Sequence, residues 1–543
     1  MSADDESFHP LGEEWEGELE TMLDDTEYDS DLGMEMAKDA MRVTKGELSE
    51  AEFHEMYHDD VMEEFGEDNR PTEEAYEEMQ AAEEGTVSRM LSKFEGDGED
   101  SRRDAMKKMG AGAAAVGLGA WGTVDDGEPE AAVADTQQQV EEPDGTQWGM
   151  TIDLERCDGC LSCVTACQQE NQTDQGVNWM YVLAFEDDTT EGGSPAPDVR
   201  GGMDGYNMLV RPCQHCTDAP CEKVCPTTAR HTREKDGLVL TDYDVCIGCR
   251  YCQVACPYGV NYFQWDEPQE ATEEEIADQM GVEPGEEGDH MMDERGRWVD
   301  SRAPRGVMSK CTMCPTRQDG LMGDDRIGTT ACEEACPPDA IQFGDVNDER
   351  SDAHQHGEYP SKSRAIIDIV RNVPSPEAID GILSEDDDLE SAIEAFEDDE
   401  DDDLDRELVS IMKAIEIVSD REEPPEETND TILEQEQTVL ESVDALEEYV
   451  DLESEDVLAE LQLGDGSEDD ANLRLRQYAG VAGSSFKLLE DIGTNPNVTY
   501  IGQNPGPNAE QVDGPVAYDD IGQTDDRKEV LDEGTVGDAG VSL

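Results

Sequence analysis

All sixteen cysteines of the chain lie between Cys157 and Cys336, in four groups of four. Cys157, Cys160, Cys163 and Cys167 follow the spacing C-x2-C-x2-C-x3-C, and Cys246, Cys249, Cys252 and Cys256 repeat it. In Cys213, Cys216, Cys221 and Cys225 the middle gap opens to four residues, and in Cys311, Cys314, Cys332 and Cys336 to seventeen. Thiolates so closely spaced are metal ligands. A C-x2-C-x2-C loop can wrap three of them around one face of an iron-sulfur cube, with the fourth arriving from elsewhere. Sixteen thiolates then divide into four sets with none missing, which predicts four [4Fe-4S] clusters. Zinc competes for paired C-x2-C elements, but a zinc site uses two pairs and leaves the x3 spacings without a reason. Disulfides suit these spacings less well, and a cluster inserted before export would remove the thiols from oxidation. Pro226, Pro257 and Pro337 directly follow a fourth cysteine, whereas Cys167 is followed by Gln168. His215, inside the second group, invites a Rieske-like assignment. With four cysteines around it already, a structural role beside the ligands is expected instead.

The segments GMTIDLERCDGCLSCVTAC (149–167), DYDVCIGCRYCQVACP (242–257) and CPPDAIQFGD (336–345) resemble the four-cluster electron-transfer (beta) subunits of molybdopterin oxidoreductases. Among these are the subunits of dimethyl sulfoxide reductase, polysulfide reductase and formate dehydrogenase, with relatives in alternative complex III. The resemblance covers roughly residues 145–350. It implies an α+β fold of two pseudo-symmetric ferredoxin-like halves with four cubane clusters, to which this chain adds acidic helical extensions and an insertion. It also implies a ligand exchange: Cys157, Cys160, Cys163 and Cys336 for one cluster, and Cys311, Cys314, Cys332 and Cys167 for a second. The inner pair would take Cys213, Cys216, Cys221 and Cys256, then Cys246, Cys249, Cys252 and Cys225. The three-iron variant of the nitrate reductase branch replaces one of these ligands, and here all sixteen are cysteine.

Several elements must position these groups. The resemblance also implies short strands at 207–210, 237–240 and 340–343, and residues 258–304 depart from it with an acidic insertion that forms a surface excursion. Residues 1–100 read as acidic amphipathic helices. Trp15, Leu19, Met22 and Leu23 build one apolar face, and Phe53, Met56, Tyr57, Val61 and Met62 a second. They form an accessory module or a docking arm. Residues 101–134 look like a twin-arginine export signal: Arg102 and Arg103, an Ala/Gly-rich run over 110–122, and a cleavage site at 132–134. The competing reading is a basic helix start and a flexible linker. Residues 351–470 read as an acidic helical insertion, with Leu408, Ile411, Ile415 and Val418 and then Leu440, Val443, Leu446 and Val450 at helical spacing. The bare charge run at 398–403 marks a solvated link. Within 471–502, the stretch SSFKLLEDIGTNPNVTYI (484–501) resembles the closing segment of the same family. A helix carrying Phe486 and Leu489, a stop at Gly493 and a short strand are expected there. The tail, 503–543, is Gly, Pro, Asp and Asn rich.

Asp and Glu number 138 against 37 Lys and Arg, a formal charge of -101. Such self-repulsion destabilises a compact state unless salt screens it, and molar salt shrinks the Debye length to about 3 Å. Because apolar periodicity persists within the acidic segments, the composition points to an extreme halophile rather than to disorder. Nucleic-acid binding is excluded for want of clustered Lys and Arg. Arg156, Arg211, Lys223, Arg250 and Lys310 nevertheless sit beside cysteines, where positive charge favours a cluster's reduced state. No run of 18 apolar residues spans a bilayer, so membrane attachment is expected through a partner. A nucleotide fingerprint and a radical C-x3-C-x2-C loop are also missing. The expectation is a non-catalytic subunit relaying electrons between a membrane quinone-reactive subunit and a molybdopterin catalytic subunit. It would sit on the outer face after twin-arginine export, or alternatively on the cytoplasmic face. The competing readings are a quinol-oxidising complex without molybdenum, as in alternative complex III, an enzyme with its own site, and a purely structural protein.

Overall fold

The computed structural model describes residues 8–10, 12–24, 26, 28–66, 68–71, 145–173, 177–186, 207–265, 303–383, 388–397, 404–419, 431–482, 484–505 and 509–511. The export-signal reading at 101–134, most of the 258–304 excursion, the charge run at 398–403 and most of the tail lie outside them.

Among the described residues three helices come first: α1 (Glu13–Asp24), α2 (Ser30–Thr44) and α3 (Glu50–Phe65). Helix α3 opens on a capping box, in which Ser49 Oγ accepts from the Glu52 amide and Glu52 reaches back to the Ser49 amide, so two orphan donors are satisfied at once. Leu19, Leu23, Phe53, Tyr57 and Val61 are buried, but Met56 and Met62 are 51% and 42% exposed. The second face is therefore narrower than expected. At 100° per residue Met62 lies half a turn from Phe53, outside an i, i+4, i+8 stripe.

Strand β1 (Trp148–Asp153) is the centre of the cysteine-rich part. Helix α4 (Ser162–Asn171) and the hairpin β2 (Tyr181–Glu186) with β3 (Asn207–Arg211) follow. Next come α5 (Pro220–Lys223), the hairpin β4 (Arg230–Thr232) with β5 (Val239–Thr241), and α6 (Tyr251–Val254). Strands β6 (Tyr262–Phe263) and β7 (Met308–Ser309) pair antiparallel. Helices α7 (Pro315–Gln318) and α8 (Ala331–Glu334) then lead to β8 (Ile341–Asp345). The strand expected at 237–240 starts two residues later, because Gly237 takes φ +69° in the turn.

The described part of the insertion is helical: α9 (Asp352–Glu358), α10 (Pro360–Ile369), α11 (Pro376–Ile382), α12 (Leu389–Glu397), α13 (Arg406–Val418), α14 (Thr431–Glu447), α15 (Glu455–Glu460) and α16 (Glu468–Ala479). These helices enclose their own core, in which Ile366, Phe396, Ile411, Ile415, Val443 and Leu475 are buried. The chain returns through β9 (Ser485–Phe486), β10 (Val498–Ile501) and β11 (Glu510–Gln511), the last of which pairs with β2.

The main sheet has the order β8-β1-β10-β9. Met150 faces Phe343 of antiparallel β8 and Val498 of parallel β10, so segments far apart in sequence meet on one strand. The helix expected to carry Phe486 and Leu489 is not formed. Phe486 instead pairs with Tyr500 and stacks on its ring, centroids 5.5 Å apart, while Leu489 turns left-handed and only a 3-10 turn, Glu490–Ile492, precedes Gly493. Sheet pairing outweighs helical spacing in so short a stretch. Gly493 is required sterically, since a Cβ there would lie 2.3 Å from the Thr44 carbonyl oxygen.

Buried charge ties the helical insertion to β1. Arg364 donates to both carboxylate oxygens of Asp153 at 2.6 and 2.8 Å and to Glu155 at 2.8 Å. His356 Nε2 lies 3.3 Å from Asp153, and Arg156 pairs with Asp368 at 3.0 Å. Burial pushes the Asp153 carboxyl up, but His356 and Arg364 outweigh it and hold the group at about 2.

Candidate metal centres

Each cysteine group begins with the same backbone turn. The residue two past the first cysteine is left-handed in all four: Gly159 (φ +69°), His215 (+41°), Gly248 (+68°) and Met313 (+57°). Glycine adopts this conformation freely, whereas His and Met are strained in it. At Gly248 a Cβ would also meet the Gly306 carbonyl oxygen at 2.3 Å.

A second turn follows three of the fourth cysteines. After Cys225-Pro226, Cys256-Pro257 and Cys336-Pro337, the amides of Thr228, Gly259 and Asp339 donate back to the cysteine carbonyls at 3.2, 3.3 and 3.1 Å. These three residues are also left-handed. Cys167 differs because it sits inside α4, which continues to Asn171. A proline after it would break the helix. Asn171 instead donates to the Cys167 carbonyl at 3.0 Å and lies 3.5 Å from its sulfur.

The sixteen thiols do not gather by sequence group. Cys157 and Cys163 interact electrostatically with Cys336, and Cys336 with Cys160. Cys167 and Cys332 have Cys311 and Cys314 as neighbours. Cys216 and Cys221 have Cys213 and Cys256. Cys246 and Cys249 have Cys252 and Cys225. Electrostatic neighbours also link the four gatherings in one order: Cys163 with Cys167, Cys213 with Cys311, and Cys252 with Cys221. Most of the thiols are buried, Cys160 is exposed, and its neighbour Leu161 is 47% exposed.

Burial, with neighbouring thiolates adding to it, raises these thiols: Cys157, Cys163, Cys246 and Cys314 to about 12, Cys311 and Cys336 to about 11. Backbone amides oppose the shift. The Ala340, Arg230 and Met308 amides point at the sulfurs of Cys336, Cys225 and Cys246 at 3.3, 3.4 and 3.5 Å. Buried cysteine sulfurs met by amide donors are the setting that iron-sulfur clusters use. Cys167, Cys311, Cys314 and Cys332 line one small pocket together with Trp179 and Met150. Among the described residues no three Cys, His, Asp or Glu side chains converge on one ion position. The residues present fit clusters.

His215 is fully buried. Its Nδ1 accepts from the Val239 amide at 3.1 Å and its Nε2 meets the Cys311 carbonyl at 2.9 Å, tying the second group to the fourth. Burial, and then Lys310, hold it well below the usual imidazole range. The basic residues beside cysteines have diverse partners. Lys310 donates to the carbonyls of Val239 and Cys311. Lys223 pairs with Glu50 at 2.9 Å, Arg156 with Asp368, and Arg211 lies over the Tyr181 ring. Arg250 donates to the Met22 carbonyl and stacks on Phe263. With the Tyr251 hydroxyl donating to the Asp29 carbonyl at 2.7 Å and His9 at 3.2 Å from that of Cys256, these bonds seat the N-terminal helices over the second and third groups. Sequence reasoning missed Arg230 and Asn171, whose side chains reach the sulfurs of Cys252 and Cys167.

Comparison with known proteins agrees with this chemistry. Residues 9–73 match the N-terminal region of 4Fe-4S ferredoxin iron-sulfur binding. Residues 205–280 match the 4Fe-4S dicluster domain. The chain is 39% identical over 245 residues to a putative dimethyl sulfoxide reductase iron-sulfur subunit of Halobacterium salinarum, covering 44% of this chain and 81% of that one. It is 38% identical to the arsenate respiratory reductase iron-sulfur subunit of a Shewanella species, over 38% of this chain and 85% of the relative. It is 33% identical to the menaquinone reductase iron-sulfur cluster-binding subunit of Nitratidesulfovibrio vulgaris, over 38% and 79%. With most of the first relative's length aligned onto it, the chain belongs to the iron-sulfur subunit family of the molybdopterin oxidoreductases.

Proposed function

We propose that the chain relays electrons through four [4Fe-4S] clusters between a membrane quinone-reactive subunit and a molybdopterin catalytic subunit, and is not itself the catalyst. One observation carries the reading: four gatherings of four thiols are electrostatic neighbours in a single order, and Cys160, in the first of them, is exposed. We assign Cys157, Cys160, Cys163 and Cys336 to the first cluster and Cys167, Cys311, Cys314 and Cys332 to the second. Cys213, Cys216, Cys221 and Cys256 would hold the third, and Cys225, Cys246, Cys249 and Cys252 the fourth. Each cluster, when bound, accepts and releases an electron. The chain's own residues hold the thiolates in line, exclude water through the buried core, and direct amides at the sulfurs.

The relatives named for dimethyl sulfoxide and arsenate reductases support the catalytic partner, and the one named for menaquinone reductase supports the quinone-reactive one. Among the described residues no helix is long and apolar enough to cross a membrane, so attachment falls to a partner. We place the complex on the outer face, following export directed by 101–134, and read the acidic balance as adaptation to molar salt. The test is isolation of the native complex from membranes at high salt. A companion carrying molybdopterin and a quinone-reactive membrane protein are expected. Haem-binding companions without molybdenum would overturn the reading in favour of a quinol-oxidising complex.

A further inference from the structure

Arg230, on β4, is 1% exposed and stands between two thiol gatherings. Its Nη2 donates to Asn261 Oδ1 at 2.7 Å and lies 3.6 Å from Cys252 Sγ. Asn261 is itself held, donating to the Cys252 carbonyl at 3.1 Å. The guanidinium also interacts with Cys221 and Cys213, which belong to the neighbouring gathering. Its Nε and Nη1 have no hydrogen-bond partner among the described residues.

Such an arrangement is expensive for a protein core, because a buried cation with unspent donors loses its hydration without replacement. Three other buried arginines show the usual solution. Arg233 is held by Asp236 and Asp319, Arg317 by Glu170, and Arg364 by Asp153. Among the described residues Arg230 forms no ion pair with a carboxylate, and its largest electrostatic partners are the thiols of Cys252, Cys221 and Cys213. Thiolate-ligated clusters would supply the missing negative charge and the acceptors.

We propose that Arg230 is a fixed counter-charge shared by the third and fourth clusters, which raises the reduction potential of both. The inference rests on the four-cluster assignment above. Reduction adds negative charge to a cluster, so a cation held against its ligands favours the reduced form. Asn261 keeps the guanidinium from turning away, and burial keeps water from screening it. The hairpin fixes the placement: the Arg230 amide points at Cys225 Sγ and its Nη2 lies against Cys252 Sγ, both ligands of the fourth cluster, while Cys221 and Cys213 of the third are its electrostatic neighbours.

The test is an EPR-monitored redox titration of the full-length chain at constant high salt, preceded by iron analysis. Arg230→Gln is expected to keep its iron and to lower two of four transitions by at least tenfold in the reduced-to-oxidised ratio at fixed potential, about 59 mV for one electron. Arg230→Lys, which keeps the charge, should stay within about threefold of the parent by the same conversion. The proposal is overturned if Arg230→Gln leaves every transition in place, if all four transitions move together, or if the Lys variant falls as far as the Gln variant. Loss of iron in Arg230→Gln would also overturn it, by assigning the residue to assembly. An iron-poor parent chain would instead refute the four-cluster reading itself.

Discussion

Replacing Cys167 by alanine is expected to damage the same cluster as replacing Cys311 or Cys332, and a different one from replacing Cys163. Cys163 and Cys167 are one helical turn apart on α4, yet Cys167 has Cys311, Cys314 and Cys332 as electrostatic neighbours while Cys163 has Cys336 and Cys160. Each alanine variant should lose at most one cluster's worth of iron, about four of about sixteen atoms. In a redox titration, Cys167→Ala, Cys311→Ala and Cys332→Ala should each abolish or transform one common transition. Cys163→Ala and Cys336→Ala should affect another. If Cys163→Ala and Cys167→Ala instead removed the same transition, the ligands would follow sequence groups and the exchange would be wrong. Single variants suffice for this test, because the readout is which signal is lost, not how much stability remains.

Removal of iron should unfold the cysteine-rich part while sparing the helical insertion. Twelve of the sixteen cysteines are buried, and many belong to the same core as Met150, Trp179 and Tyr500. Without metal that core keeps the pocket between Cys167 and Cys311 and a set of crowded buried thiols with nothing to bind. Binding free energy is therefore folding free energy here. The insertion has a separate core around Ile411, Ile415 and Val443. Hydrogen exchange after chelation at constant high salt should show protection falling at least about 1000-fold in strands β1 and β8, equivalent to about 4 kcal/mol. In helices α13 and α14 it should change less than about tenfold, or about 1.4 kcal/mol. Equal loss in both regions would show that the insertion depends on the metal-bound part for its fold.

Much of this was legible in the cysteine spacing, because ligand loops are local and repeat. Gly159 and Gly248 announce the left-handed turn directly. His215 and Met313 adopt the same turn without announcing it, since tertiary bonds such as those from Val239 and Cys311 to His215 override the preference. The absent proline after Cys167 has a local cause that spacing alone does not reveal, the continuation of α4. Non-local contacts were less readable. Arg230 is five residues from Cys225 and approaches Cys252 only through the β4–β5 hairpin. In the closing segment, pairing of Phe486 with Tyr500 replaced the helix that its apolar spacing suggested. Nor could helical periodicity in the first hundred residues identify the surface those helices cover. That depends on contacts such as the close approach of Tyr251 to Gly33, where a Cβ would sit 2.7 Å from the ring.

The central claim is that sixteen thiolates hold four redox-active clusters. Its most direct test is iron and acid-labile sulfide analysis of the full-length chain, prepared anaerobically at high salt, with spin quantification after stepwise reduction. About sixteen iron and about sixteen sulfide per chain, reducing in four one-electron steps, are the predicted result. Four irons or fewer per chain, or zinc in place of iron, would contradict it.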